Sequence, residues 1–457
     1  MSDKTTYHLD RRQFLKRTAL TTAALGFPTI ISASAKGANE RISLGCIGVG
    51  SMGTGNMKTF LQQDDCRVVA VCDARHDRMG QAKNLVDKHY EDQGCAAIAD
   101  FRELLARKDI DAVMIASQDH WHGIMGTAAA AAGKHLYLEK PLAISIVESK
   151  AIRDAVHKHS LTFQAGTWQR SFGNFRQACV LARNGQLGKL SEIQVAAHGP
   201  EYKPRYGGPM DPQPVPDTLD WEMWQGPAPR QPFNPGRIAH PDWYLIWDYC
   251  NGFITNWGVH YLDIALWGCP ELATVPFEVE CKGVYRNQGF TDNIESWNAT
   301  FTYENGLRML FTDNVQQETG TRFIGPDGSV HVKRSVQPKT DPASLASLRP
   351  KPGDDLLRPS WVTGDDIKEV KHKDGNYLAF GNHSHAQDFL QCIRSGKQPL
   401  SNVDATHHAT VLGLIAEIAA RLGRKLKWDP KSESFVNDDE ANGRFARVLH
   451  NGWKLVP

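Results

Sequence analysis

The sequence predicts an α/β chain in two parts: a doubly wound N-terminal domain around a parallel sheet, then an α+β domain with a large, mainly antiparallel open sheet. Three observations carry this. Short apolar runs at Ile42 to Val49, Val68 to Cys72, Ala112 to Ala116 and His135 to Leu138 alternate with amphipathic helical stretches, the rhythm of a parallel sheet covered on both faces. The run Gly48-Val49-Gly50-Ser51-Met52-Gly53 falls where the first apolar run meets the first helical stretch. Farther on, Phe277 to Tyr285, Ile294 to Tyr303, Leu307 to Asp313 and Thr321 to Ile324 read as successive strands, two of them joined by the turn Glu304-Asn305-Gly306.

A chain of 457 residues is too long for one core, and its 41% hydrophobic and 23% charged residues are those of a globular protein. The N-terminus reads as a leader. Paired arginines in Asp10-Arg11-Arg12-Gln13-Phe14-Leu15-Lys16 precede a short apolar stretch from Ala19 to Ile31, and Ala33-Ser34-Ala35 follows. This order resembles a twin-arginine (Tat) signal peptide, so residues 1–35 are expected to be cleaved after about Ala35 and the body exported, periplasmic and without stable membrane insertion. Two domains, 41–165 and 166–457, are expected behind it, with the helical stretches inside 383–422 packing back on the first. Without the leader 47 Lys and Arg face 49 Asp and Glu, a formal charge of −2. That charge without basic blocks excludes nucleic acid as a partner. Nine cysteines lie apart with no CxxC pair, which indicates neither a disulfide framework nor a metal site.

The remaining elements follow in order. Thr162 to Gln164 and the helix Phe175 to Asn184 close the first domain, and Leu190 to Ala197 reads as a strand. Residues 200–241 hold eleven of the 24 prolines, which rules out a continuous helix or central strand there. Six of the twelve tryptophans fall between Trp221 and Trp267, too aromatic for a disordered linker. This stretch is expected to wall a site. Residues 335–378 are polar and proline-rich, and helices are expected at His383 to Arg394 and Val403 to Leu422.

A GxGxxG run alone is weak. Here it follows a strand, opens a helix and has Asp73 twenty residues after Gly53, at the end of the second strand. Gly48, Gly50 and Gly53 allow a tight turn, a bare backbone beside a pyrophosphate and close helix packing, while Ser51 and Met52 begin the helix whose N-terminus attracts phosphate. Asp73 suits the ribose hydroxyls of NAD. Arg75 leaves NADP open.

Glu139-Lys140-Pro141 ends the strand from His135, at the carboxyl edge where open α/β sheets bind ligands. A buried lysine there is suited to donate to a reacting hydroxyl. With the glycine loop, Asp73, Ser117-Gln118-Asp119-His120-Trp121-His122, Glu139-Lys140-Pro141 and Asn256-Trp257-Gly258-Val259-His260-Tyr261-Leu262-Asp263 together, residues 41–457 resemble the Gfo/Idh/MocA oxidoreductases, which include glucose-fructose oxidoreductase and inositol dehydrogenase. The resemblance implies hydride transfer between NAD(P) and a secondary hydroxyl of a sugar, glycoside or cyclitol, with Lys140, His260 and Asn256 catalytic. Ser117, His120, His122 and Glu139 are implied at the cofactor. Where the family pattern has Asp-x-x-x-His, this chain has Asn256 and His260. Sugars offer apolar CH faces and dense hydroxyls, so Trp168, Arg170, Tyr244, Asp248, Trp257 and His260 are the candidate substrate contacts. A homodimer or homotetramer is implied by the same resemblance.

Two other readings stay open: an NAD-dependent glycosidase passing through a transient keto-sugar, and a catalytically weak sugar-binding protein that keeps the cofactor fold. Because free NAD is scarce outside the cytoplasm, export implies a tightly bound cofactor.

Overall fold

The structure, a computed structural model, describes residues 41–456 apart from 201–209, 286–288, 290, 349–350, 362–367, 373–374 and 380–384. The twin-arginine segment and its cleavage site lie outside the described residues. Arg41 to Pro457 forms one compact unit.

Its first layer is a parallel six-stranded sheet of β1 (Ile42–Ile47), β2 (Cys66–Cys72), β3 (Ala96–Ala97), β4 (Ala112–Ile115), β5 (His135–Leu138) and β6 (Phe163–Ala165), in the order β3-β2-β1-β4-β5-β6. Every residue of β4, Ala-Val-Met-Ile, is buried, as a strand covered on both faces requires. The helices between them are α1 (Ser51–Leu61), α2 (His76–Tyr90), α3 (Phe101–Ala106), α4 (His122–Ala131) and α5 (Ile146–Lys158). Ser145 starts α5 by accepting from the backbone N–H of Glu148 at 3.2 Å. Helix α6 (Gly173–Arg183) leads into the second domain.

That domain is built on nine strands: β7 (Glu192–Ala197), β8 (Phe277–Tyr285), β9 (Ile294–Tyr303), β10 (Arg308–Asp313), β11 (Gly320–Gly325), β12 (Gly328–Val332), β13 (Lys339–Asp341), β16 (Leu426–Asp429) and β17 (Ser434–Phe435), with β14 (Lys368–His372) and β15 (Gly375–Ala379) forming a separate pair. The order is β13-β12-β11-β7-β10-β9-β8-β16-β17. β7 runs parallel to β10 and the other described pairs are antiparallel. β8 alternates, turning Phe277, Val279 and Cys281 inward and Glu278, Glu280 and Lys282 outward. Helix α7 (Gly258–Gly268) is buried along its whole length on the inner face. Gly258 and Gly268 make this approach possible, since a Cβ there would lie 2.5 Å from the ring of Phe311 and 2.4 Å from that of Phe323.

The two layers are tied by later elements. Helix α8 (His385–Ser395) sends Ala386, Phe389 and Leu390 into the core beside Phe60 and Tyr137, and Gln164 donates to the carbonyl of His385. Helix α9 (Val403–Leu422) presents Thr410, whose hydroxyl accepts from the N–H of Leu142 at 3.1 Å. Trp453, near the C-terminus, packs on Phe101 and Trp121. Arg170 crosses to α7, donating from Nε and Nη2 to both oxygens of Asp263 at 2.8 and 2.7 Å.

The polar, proline-rich segment 335–378, to which no element was assigned, supplies β13, β14 and the start of β15. β16 and β17 were not expected; β16 is four residues long, too short for a period to show, and exists because it pairs with β8. Removing the guanidinium from the buried pair, Arg170→Met, leaves Asp263 without a countercharge; a stability loss of about 3–5 kcal/mol is expected, read as a lowered midpoint in thermal or urea unfolding.

Candidate active site

The carboxyl edge of the parallel sheet builds a nucleotide cradle from backbone geometry. Gly48 has a φ of 78°, and a Cβ on it would lie 2.6 Å from the backbone of Ala116; one on Gly53 would lie 1.8 Å from the carbonyl oxygen of Gly48. Only glycine fits either position. Asp73 accepts from the N–H groups of Val49 and Arg75, both at 2.8 Å, so the end of β2 holds the glycine loop in place. Burial raises its carboxyl pKa and those two hydrogen bonds oppose the rise. Gly48, Gly50, Asp73, Ser117 and Gln118 line one cavity together with Arg78, Met223 and Trp224.

The neighbouring strand ends meet at Lys140, which is 9% exposed. Its Nζ donates to Oδ1 of Asn256 at 2.9 Å and to the Asn256 carbonyl at 3.1 Å. The Asn256 amide in turn donates to Oδ2 of Asp119 at 2.9 Å, and the thiol of Cys250 donates to the same carboxylate oxygen. On the other side, Glu139 accepts from the amide of Asn56 at 2.8 Å. Burial lowers the Lys140 pKa, with Glu139 and Asp119 pulling it back up. Burial likewise raises the carboxyls of Asp119 and Glu139.

The second domain closes this centre with α7. His260 is buried, and burial followed by the nearby charge of Lys140 drives its imidazole well below the usual range. Its Nδ1 has no partner among the described residues. Trp257 meets His260 edge-on at 5.8 Å and His198 at 4.8 Å. Tyr244 is buried within hydrogen-bonding reach of Asn256, and burial raises its phenol far above its ordinary value. A neutral imidazole, a lowered amine and an amide anchored on a carboxylate are together equipped to take a proton from a hydroxyl and hold the oxygen left behind.

The model of an oxidoreductase family's NAD-binding Rossmann fold matches residues 42–167, and the model of the same family's C-terminal alpha/beta domain matches 175–352 and 366–455. The chain belongs to the Gfo/Idh/MocA oxidoreductase family. Among curated relatives, it is 28% identical over 163 residues to the myo-inositol 2-dehydrogenase of Thermotoga maritima, across 35% of this chain and 46% of that one. It is also 31% identical over 162 residues to a glycosyl hydrolase family 109 protein of Shewanella, across 30% and 35%. The chain therefore spans less than half the length of either relative. Its fold matches that of the aldose-aldose oxidoreductase of Caulobacter crescentus with a TM-score of 0.59 at 17% identity, covering 85% of this chain and all of the other.

Within this oxidoreductase frame, the structure brings Lys140, Asn256, His260, Trp257 and Tyr244 to one centre and sends other expected residues elsewhere. Arg170 is not a substrate contact, because Asp263 and the carbonyl of Leu400 occupy its guanidinium. Asp248 lines a different cavity, of about 320 Å³, with Arg447 and His450. Trp168 lies against His385 at 5.3 Å. Arg75 forks onto Asp77, and the cation beside the glycine loop is Arg78, one helical turn later. His122 is tied between the carbonyls of Pro141 at 2.7 Å and Ser117 at 3.2 Å, so it clamps two site loops and presents no free nitrogen. His120 faces the carbonyl of Trp224 at 3.1 Å, and burial lowers its pKa to about 4. Ser51 and Met52 are exposed at the start of α1. Asp119 was missed as a partner: its place in the Ser117 to His122 run gave no sign that it would meet Asn256, 137 residues away.

Asn256→Asp sets a second carboxyl beside Asp119, and two such groups cannot both ionise cheaply. Burial and Asp119 raise the folded-state pKa of the new carboxyl against the opposing pull of the Lys140 ammonium, so stability holds at low pH and is lost as pH rises through that pKa. Thermal unfolding of this variant is expected to fall behind the native protein by about 2 kcal/mol at pH 7 and much less near pH 4, while Asp119→Asn combined with Asn256→Asp recovers most of the loss.

Proposed function

We propose that this NAD-binding oxidoreductase oxidises a secondary hydroxyl of a sugar or cyclitol, and that it works as an exported protein with a retained cofactor. The observation that carries the reading is the buried Lys140 ammonium, held on Asn256 at the end of β5 with His260 alongside. When bound, NAD supplies the hydride acceptor. Lys140 donates a hydrogen bond to the substrate oxygen and stabilises it as it loses its proton. His260, neutral through burial, receives that proton. Asn256 keeps the amine aimed by accepting from it while Asp119 holds the amide from behind. Trp257 offers a face for the apolar side of a sugar ring.

Retention has its own support in the segment from Thr218 to Ala228. The backbone N–H of His76 donates to the carbonyl of Thr218 at 2.8 Å, that of Asp220 donates to the carbonyl of Ala74 at 2.9 Å, and Met223 and Trp224 line the nucleotide cavity. The far end is fastened by the C-terminal tail, where Asn451 donates to the carbonyls of Gly226 and Ala228. A strap fixed at both ends slows escape of whatever lies beneath it. Export by the twin-arginine route rests on Arg11-Arg12 and the stretch that follows. Assembly as a homodimer or homotetramer through the outer face of the nine-stranded sheet belongs to the same proposal.

Protein purified without added nucleotide is expected to carry NAD, detected by mass analysis of the denatured supernatant, and to give an NADH absorbance change with members of a sugar and cyclitol panel. Free sugar released from glycosides with no net NADH would instead point to glycosidase chemistry and sink the dehydrogenase reading. For pH, the lowered His260 removes any acid limb above about pH 6.5, and the lowered Lys140 places the alkaline limb below the ordinary lysine value of about 10.4. Oxidation should fall as pH rises through that limb, because the amine loses the proton it donates. Lys140→Arg, permanently charged, is expected to abolish the alkaline limb while losing roughly 100-fold or more in kcat from misplaced geometry.

A further inference from the structure

Beyond Lys140 and His260 the site holds a second cation, for which the described residues offer no neutralising partner. Arg334 follows β12, in a loop whose backbone is fixed: the buried amide of Asn174 donates to the carbonyls of Lys333 and Val336, both at 2.9 Å. Ser335 beside it has a φ of 61°, a left-handed conformation that a serine adopts only where its surroundings impose it. The loop thus presents Arg334 in one orientation. Its guanidinium carbon lies 5.3 Å over the ring of Trp257, the aromatic that also contacts His260.

The cations around it show the ordinary alternative. Lys333 and Lys339 pair with Glu318 at 2.7 and 3.5 Å, and His331 lies 3.8 Å from the same carboxylate. Arg334 makes no ion pair among the described residues, and its buried Nε lacks a hydrogen-bond partner. The groups it faces are Lys140, His260 and Tyr261, none of them acidic. The carboxylates of the centre are already engaged, Asp119 by Asn256 and Cys250, Glu139 by Asn56. Where the family pattern carries an acid, Asn256 leaves the wall neutral. A partly buried guanidinium whose Nε has no partner among the described residues costs free energy unless a ligand meets it.

We propose that Arg334 recognises a carboxylate on the substrate, so that the enzyme acts on a sugar acid whose ring lies against Trp257 and whose reacting hydroxyl reaches Lys140 and His260. This rests on the oxidoreductase reading above. The guanidinium matches a carboxylate in a two-point fork, which fixes the distance between the acid group and the carbon that gives up hydride. Arg334 acts as a specificity residue and takes no part in proton transfer.

The test compares D-glucuronate and D-galacturonate with D-glucose and D-galactose, using NAD reduction by the native enzyme and by Arg334→Met. Binding of D-glucuronate to the NADH-loaded form is measured in parallel by calorimetry, where no hydride can move. The native enzyme is expected to favour the acids at least tenfold in kcat/KM. Arg334→Met should lose on the order of 100-fold on the acids, stay within about threefold on the neutral sugars, keep its KM for NAD and lose the calorimetric signal. Arg334→Lys should recover part of the loss. Equal or better turnover of neutral sugars, lowered alike by the substitution, overturns the proposal and leaves the oxidoreductase reading intact. Arg334-dependent binding of glucuronate with no NADH from any sugar sinks that reading and keeps the anion site. Absence of both turnover and binding of the acids overturns the proposal.

Discussion

The constraint on which this structure turns is the cost of burying one ammonium group. A lysine tail withdrawn from water must be met by acceptors and opposite charge, or it gives up its proton. Lys140 stands at the end of β5, and its own domain supplies acidic neighbours, Glu139 and Asp119, without a direct acceptor for Nζ. The acceptor comes from Asn256, in the short helix Phe253–Asn256 of the second domain. The two layers therefore have to be closed before the amine is satisfied. Packing from α8, α9 and the C-terminal tail ties them together.

That arrangement divides the labour between backbone and side chains. The nucleotide cradle is made by what is missing: side chains at Gly48 and Gly53 would collide with backbone. The chemical centre is made by what is buried, since each of its titratable groups is displaced first by loss of water and only then by its neighbours. The negative charge that the family pattern places four residues before the histidine is here one hydrogen bond farther away, on Asp119. An amide relays it. Asn256 accepts from Lys140 through its oxygen and donates to Asp119 through its nitrogen, a polarity that an aspartate could not reproduce without taking up a proton.

The sequence made some of this legible and hid the rest, for physical reasons. The glycine loop, Asp73 and Lys140 could be read because each is fixed by local order, a strand end meeting a turn or helix start within a few residues. Helix α9 was expected at Val403 to Leu422 and spans those residues, because twenty residues give periodicity room to show. Arg170 was misread because an arginine after a strand near a site looks the same whether it awaits a ligand or meets Asp263, 93 residues later. Arg78 and Arg334 were missed for the converse reason: nothing adjacent marks them. β16 and β17 depend on an edge of the sheet set by β8, a long-range condition that no short window contains.

The cysteines connect the fold to the proposed route of export. All nine are free and buried, and burial pushes their thiols upward, with Cys95 and Cys269 to about 11 and Cys281 and Cys392 to about 12. Thiols so held carry almost no thiolate at neutral pH and react slowly with oxidants, but only after the cores around them have formed. An unfolded chain would expose all nine at once. The proposed retention of the cofactor would favour the same order, because a dinucleotide is most readily enclosed while Thr218 to Ala228 and the C-terminal tail are still docking. The proposed leader, engaging a translocon for folded proteins, would meet both requirements by placing thiol burial and cofactor loading on the reducing side before the protein crosses.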